Sequence, residues 1–388
     1  MNSRRIGSLI LFFCALLSAG PLAAEPAPPI RVGVTVSLSG KFAVLGKDEL
    51  QGMQMWADDV NRRGALLGRK VVIVHYDDES DPDKSAELYE RLITTDKVDL
   101  LLGPYGSDIT YAASAVAERH QFPMVATGAA ASKIWSRGFR NIFQIDAPAA
   151  RYMDLPLAFA KEKGLTRVAL VHSDAEFARE VTAGARGKAE ELGMHVVLDA
   201  EYPLSQQQFG QLARTIGEAD PQLLIGGTYL DDSIGLVRAL AEAGVEPQIV
   251  ALTVGPAQRA FGQALGEDAN NVIGVLAWMR SGFLPLAYDF SYRYKAKYGS
   301  NAAVHAAYGY AGGQVLEAGV RLAGSLDKDA IRDELRTMTF RSILGRYRVD
   351  DSGAQIAKNT YVMQWQTGFR LLILPEHLRD APAVFPFR

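Results

Sequence analysis

Residues 101–114 read LLGPYGSDITYAAS, an apolar run that breaks at Gly103-Pro104 and resumes beyond Gly106-Ser107 with the spacing of a helix. Leu101 and Leu102 belong to the longer run VDLLLG (98–103), whose lack of polar alternation marks a strand buried on both faces. Strand, loop and helix N-terminus in that order are the repeating unit of a parallel α/β sheet. The loop gathers the unpaired amides and the positive dipole end of the helix, so it attracts an anion. Ser107 adds a directed hydroxyl donor, and Gly106 lets the backbone approach closely. A plain helix cap by Ser107 or Asp108 is the other reading, and the two roles are compatible.

The same alternation extends in both directions. Strands are predicted at 31–37, 71–76, 98–103, 123–127, 167–172, 196–200, 222–227, 247–252 and 271–277, with helices at 47–62, 83–96, 109–120, 149–163, 176–192 and 231–243. After Trp278 the pattern changes to helices at 287–299 and 304–324, followed by strand-like pieces at 346–349, 360–365 and 370–374. An α/β series that closes with helices and returning strands predicts two doubly wound lobes sharing the chain through several crossings. Ligands of such folds sit outside the carboxyl ends of the strands.

At 388 residues the chain suits two lobes of ordinary size. Its start, MNSRRIGSLILFFCALLSAGPLAAEPAPP, has basic Arg4 and Arg5, an apolar run from Ile6 to Leu17 and small residues toward Ala24. This reads as a signal peptide over 1–24, too short to span a bilayer as an anchor, and predicts export to the periplasm. The single cysteine, Cys14, lies inside it, so the mature chain is expected to lack a thiol, disulfide or lipid. Without Arg4 and Arg5 the 41 basic residues fall to 39 against 44 acidic ones, a net charge of −5. With no basic block, neither nucleic acid nor direct insertion of the mature chain into a membrane is expected.

Gly40 to Gly46-Lys47 has one spacer residue too many for a phosphate loop, and Asp48 stands where a magnesium-binding Ser or Thr belongs. No G-x-G-x-x-G follows a strand, and the six histidines make no i, i+4 pair for zinc. No G-x-S-x-G elbow advertises a serine nucleophile. The expectation is a binding protein, not an enzyme, with neither cofactor nor metal; an exported α/β hydrolase is the competing class.

The stretches VGVTVSLSGKFAVLGKDELQGMQMWADDVNRRG, GRKVVIVHYDDESDPDKSAELYERLI, LLGPYGSD and PMVATGAAASKIWSRGFRNIFQI resemble the leucine/isoleucine/valine-binding protein family of ATP-binding-cassette (ABC) importers. The likeness runs from about Arg31 to Gln366. It implies a type I periplasmic binding protein fold, with two Rossmann-like lobes joined by three crossovers and a small-molecule ligand in the cleft. The lobes are expected to be 29–148 with 280–356 and 149–279 with 357–388. The implied partner is an ABC permease in the inner membrane; a sensory receptor, or a place as regulatory subunit of a larger assembly, are alternatives.

The resemblance also implies site residues. Ser107, flanked by Tyr105 and Gly106, would grip a ligand carboxylate. In TGAAAS, Gly128 would offer a carbonyl, while Ala130 occupies the position of the family's threonine, and Ser132 is near enough to replace its hydroxyl. Phe177 stands where the family closes an aromatic ring over the ligand, Thr228 and Tyr229 form the opposite wall, and Phe42 is expected to fill the space that Leu45 leaves. Arg151 is a candidate counter-charge. In ALTVGPAQ the amino-acid binders carry a glutamate that pairs with the ligand ammonium, whereas this chain has Thr253 and Val254. A buried ammonium without a carboxylate costs on the order of several kcal/mol. The expected ligand is therefore a carboxylate with an apolar or aromatic body, not a standard α-amino acid; a branched-chain amino acid, an amide or urea are the alternatives.

Overall fold

The computed structural model describes residues 27–280, 284 and 286–387. The predicted signal peptide and Cys14 lie outside the described residues. The chain runs β1 (Ile30–Val36), α1 (Ala43–Arg62), β2 (Val71–Asp77), α2 (Pro82–Thr94), β3 (Leu100–Leu102), α3 (Ser107–Arg119), β4 (Met124–Ala126) and β5 (Ile142–Gln144). These five strands form one parallel sheet in the order β2-β1-β3-β4-β5. Val32, Val34 and Val36 of β1 are wholly buried, as continuous β-branched strands of a doubly covered sheet must be.

The chain then crosses to a second layer. It continues as α4 (Asp154–Glu162), β6 (Arg167–Ser173), α5 (Glu176–Glu191), β7 (His195–Tyr202), α6 (Gly210–Ala219), β8 (Leu223–Gly227), α7 (Leu230–Ala243), β9 (Ile249–Leu252), α8 (Val254–Ala257), α9 (Arg259–Leu265) and β10 (Ile273–Leu276). It returns to pack α10 (Ala287–Tyr298) and α11 (Val304–Ala323) beside the first sheet, with α12 (Lys328–Thr337) and the small hairpin β11 (Phe340–Ser342) and β12 (Gly345–Tyr347). A last crossing delivers β13 (Tyr361–Gln366) and β14 (Phe369–Leu374), which complete the second sheet as β14-β13-β10-β9-β8-β6-β7. The first five of its strands in chain order pair in parallel, β13 adds antiparallel to β10, and β14 adds antiparallel to β13.

The helix expected over 149–163 is divided, with a 3-10 turn at Ala149–Arg151 and α4 starting only at Asp154. Pro156 explains this: an unbroken helix would need its missing N–H to bond the Tyr152 carbonyl, whereas Pro is tolerated in the first turn.

Helices α1 and α11 approach closely enough to exclude side chains. A Cβ added at Gly309 would lie 2.0 Å from the Glu49 carbonyl oxygen, and one at Gly52 would lie 1.9 Å from that of Ala306. The α1 face so presented carries Met53 and Trp56 into the core beneath β1. The Trp56 indole N–H donates to Glu317 Oε2 (3.1 Å), which also receives Arg63 (3.0 Å), so the one polar atom of this buried ring is satisfied.

Candidate functional site

The carboxyl ends of β3, β4 and β5 face those of β6, β8 and β9, at the point in each sheet where the strand order reverses. Between them lies a cleft of about 500 Å³, open solvent at its mouth included. Tyr105, Gly106, Ser107, Gly128 and Ala130 line it from the first sheet, and Phe177, Tyr229 and Val254 from the second.

Gly106 sits at φ 93°, a conformation that penalises side chains, and turns the chain from the Tyr105 loop into α3. Its N–H donates to the Gly128 carbonyl (3.0 Å), which locks the two loops together. Ser107 Oγ accepts from the amides of Ala130 and Ala131, each at 3.2 Å. The hydroxyl proton is thus left for another acceptor. The Ala130 amide, by contrast, is committed to Ser107, and Ala130 itself brings no hydroxyl to the lining.

Five sequence-predicted residues lie outside the lining. Ser132 is exposed at the rim, where its amide donates to Glu180 (2.7 Å) across the cleft mouth. Thr228 and Thr253 are fully buried and bind each other: Thr253 Oγ1 donates to the Thr228 carbonyl (2.6 Å) and accepts the Thr228 amide (2.8 Å). They fix the loop that carries Tyr229 and are not among the lining residues. Phe42 lies behind the lining, its ring edge-on to Tyr105 (5.3 Å) and tilted against Tyr229 (5.2 Å), so it bridges the two sheets' loops. Arg151 turns outward toward Asp154 (3.4 Å) and supplies no charge to the cleft.

Lining residues without a local sequence signal complete the cleft. Asp146, Tyr152, His305 and Tyr308 come from the first crossing and from the start of α11. Asp146 is buried, and its Oδ1 accepts from the Ala147 amide (2.7 Å) and the Tyr308 hydroxyl (3.2 Å), its Oδ2 from the Tyr152 hydroxyl (2.8 Å). Burial pushes its carboxyl above the ordinary range, opposed by the Tyr152 hydrogen bond and the charge of Lys358. Lys358, buried on the last crossing, is pushed down by its own burial and held up by Asp146. Burial also drives the His305 imidazole down to about 3, so it is neutral at physiological pH. A stretch of aromatic side chains with one acid among them gives no periodic or spacing signal, and only the fold brings 146, 152, 305 and 308 together.

Behind the Gly128 wall, Glu49 is completely buried, and neither carboxyl oxygen has a hydrogen-bond partner among the described residues. Its Oε1 would lie 2.8 Å from a Cβ at Gly128, so a side chain there would have to displace it. The hydroxyl of Thr127 is nearby but donates to the Gly103 carbonyl (2.8 Å). Burial raises the Glu49 carboxyl to about 8, moderated by Thr127 and reinforced by the charges of Asp78 and Asp146.

At the rim, Lys133 from the first-sheet side pairs with Glu176 at the start of α5 (2.6 Å), and the Glu176 amide donates to Asp108 (3.2 Å). These contacts cross the cleft. No cluster of three or more potential metal ligands occurs among the described residues, and no described helix is long and apolar enough to cross a membrane.

The chain is similar to Leu/Ile/Val-binding protein homolog 7 of Brucella melitensis biotype 1, at 24% identity, covering 98% of both sequences. Its fold is similar to that of a leucine-binding protein, LivK, from Thermotoga maritima (TM-score 0.81, 22% identity, 90% of this chain and 100% of the other). It is also similar to an ABC transporter solute-binding protein from R. palustris in complex with benzoate (TM-score 0.79, 21% identity, 92% and 97% covered). Residues 29–370 match the periplasmic binding protein family, and the chain belongs to it, among the type I binding proteins of ABC importers.

Proposed function

We propose that this exported protein carries a carboxylate with an apolar or aromatic body, rather than a standard α-amino acid, to an ABC permease of the inner membrane. The observation that carries this reading is the Val254 wall. Val254 lines the cleft beside Tyr229, and the neighbouring Thr253 is turned into the loop toward Thr228, so that side offers no carboxylate to an ammonium. Apart from Asp146 and the neutral His305, the rest of the cleft is aromatic and aliphatic, with the Ser107 hydroxyl and the α3 N-terminus as donors for a carboxylate. The benzoate held by the R. palustris protein is a ligand of this kind. Residues 29–148 with 280–356, and 149–279 with 357–388, act as two lobes. Ligand contacts from both sides of the cleft favour the closed arrangement, in which Lys133 meets Glu176.

The test is thermal unfolding and calorimetry against aromatic carboxylates, branched-chain amino acids, short amides and urea. An aromatic acid at about a hundred times its dissociation constant is expected to add roughly 2.7 kcal/mol of stability. Tight binding of leucine or valine instead overturns the reading. Ser107→Ala is expected to weaken binding about 10- to 100-fold, the worth of one hydrogen bond to a charged group, and to lower the unliganded melting temperature as well, because the Ala130 and Ala131 amides lose their acceptor. Unchanged affinity removes Ser107 from the site.

A further inference from the structure

Hydrogen bonding makes two parts of the cleft lining unlike. At the start of α3 the polar groups are donors: the Ser107 proton is free because its oxygen already accepts two amides. Where Asp146 lines the cleft, the hydroxyl protons of Tyr152 and Tyr308 are both spent on it. What these three residues present to the cleft is therefore acceptor lone pairs. An ionised carboxylate has about four acceptor positions. Three on Asp146 are filled, by the Ala147 amide, Tyr308 and Tyr152, and the fourth belongs to Oδ2. The charge of Lys358 acts on Asp146 from the last crossing. With a single acceptor position open, Asp146 suits one neutral donor better than an ammonium with three N–H groups.

We propose that Asp146 is a specificity-determining acceptor, and that the ligand is a hydroxylated acid whose body hydroxyl donates to it while the carboxylate is held at Ser107. This rests on the carrier reading above. A ligand without the hydroxyl leaves a desolvated acceptor unpaired, which is where the discrimination arises.

The test needs no variant at first. Calorimetry of the purified protein compares benzoate, 3- and 4-hydroxybenzoate, their methoxy counterparts and leucine. A hydroxybenzoate is expected to bind about tenfold or more tighter than both benzoate and its own methoxy analogue, which keeps the oxygen but lacks the proton. In Asp146→Asn the hydroxy-to-unsubstituted ratio is expected to fall toward one, a change that a merely structural role for Asp146 would not produce. Equal binding of benzoate and the hydroxybenzoates, or a preference that survives Asp146→Asn, overturns the inference and leaves the carrier reading in place. Binding of leucine with none of the aromatic acids, or of nothing in the series, overturns both.

Discussion

Gly309→Ala is expected to destabilise the protein by about 3 kcal/mol or more, a larger loss than a single surface methyl group ever causes. The added Cβ would stand 2.0 Å from the Glu49 carbonyl oxygen. That atom belongs to the α1 backbone and cannot swing aside as a side chain can, so the two helices must separate. Separation loosens Met53 and Trp56, which pack between α1, α11 and β1. Gly187→Ala is the matched control: this glycine lies within α5, and a Cβ there meets nothing within 4 Å. It is expected to gain up to about 1 kcal/mol from helix propensity. Denaturant unfolding of the two variants checks the pair. Similar stabilities would mean that α1 and α11 are not held at the observed separation.

The second large effect is a dependence of stability on pH that Glu49→Gln removes. Burial holds the Glu49 carboxyl at about 8 in the folded chain, against an unfolded value of 4.5. A raised folded pKa means that folding favours the protonated form. The associated stability is fully present below the unfolded value and is lost as pH rises toward 8. Between pH 5 and pH 8 that loss is on the order of 2 to 4 kcal/mol. Gln cannot ionise and closely matches the protonated acid in shape. Glu49→Gln is therefore expected to be close to the parent in stability at pH 5 and clearly more stable at pH 8. Asp146 and Asp232, also raised by burial, leave a smaller residual slope in both proteins. Parallel melting-temperature profiles for parent and variant would show that Glu49 finds a partner or water that keeps it charged.

The alternation of strands and helices through residue 277 was legible because buried parallel strands need unbroken apolar runs, and the helices between them need a 3.6-residue stripe. The strands that escaped were β5 and β11, three residues each, too short for any period to appear, and the helices α6 and α12 were not among those predicted. Among the site residues, the glycine-serine loop at 106 and 107 was legible because a helix N-terminus next to a strand end is a local feature. Ser132, Thr228 and Thr253 were misread because sequence places a hydroxyl near a loop without saying where it points. In the fold the two threonines satisfy each other. Asp146 and Glu49 escaped for the opposite reason. Their meaning lies in what surrounds them, and Tyr308, Lys358 and Gly128 are far away in sequence.

The order in which the two sheets are assembled constrains how this chain can be made. The helix that seats α1 arrives only with residues 304–323, and the edge of β10 stays open until β13 (Tyr361–Gln366) pairs with it. Neither half can mature vectorially as the chain emerges, so folding is a late event of the whole polypeptide. A chain clipped before Tyr361 does not lose a tail. It leaves the β10 edge of the second sheet unpaired, and that turns a terminal truncation into an aggregation hazard.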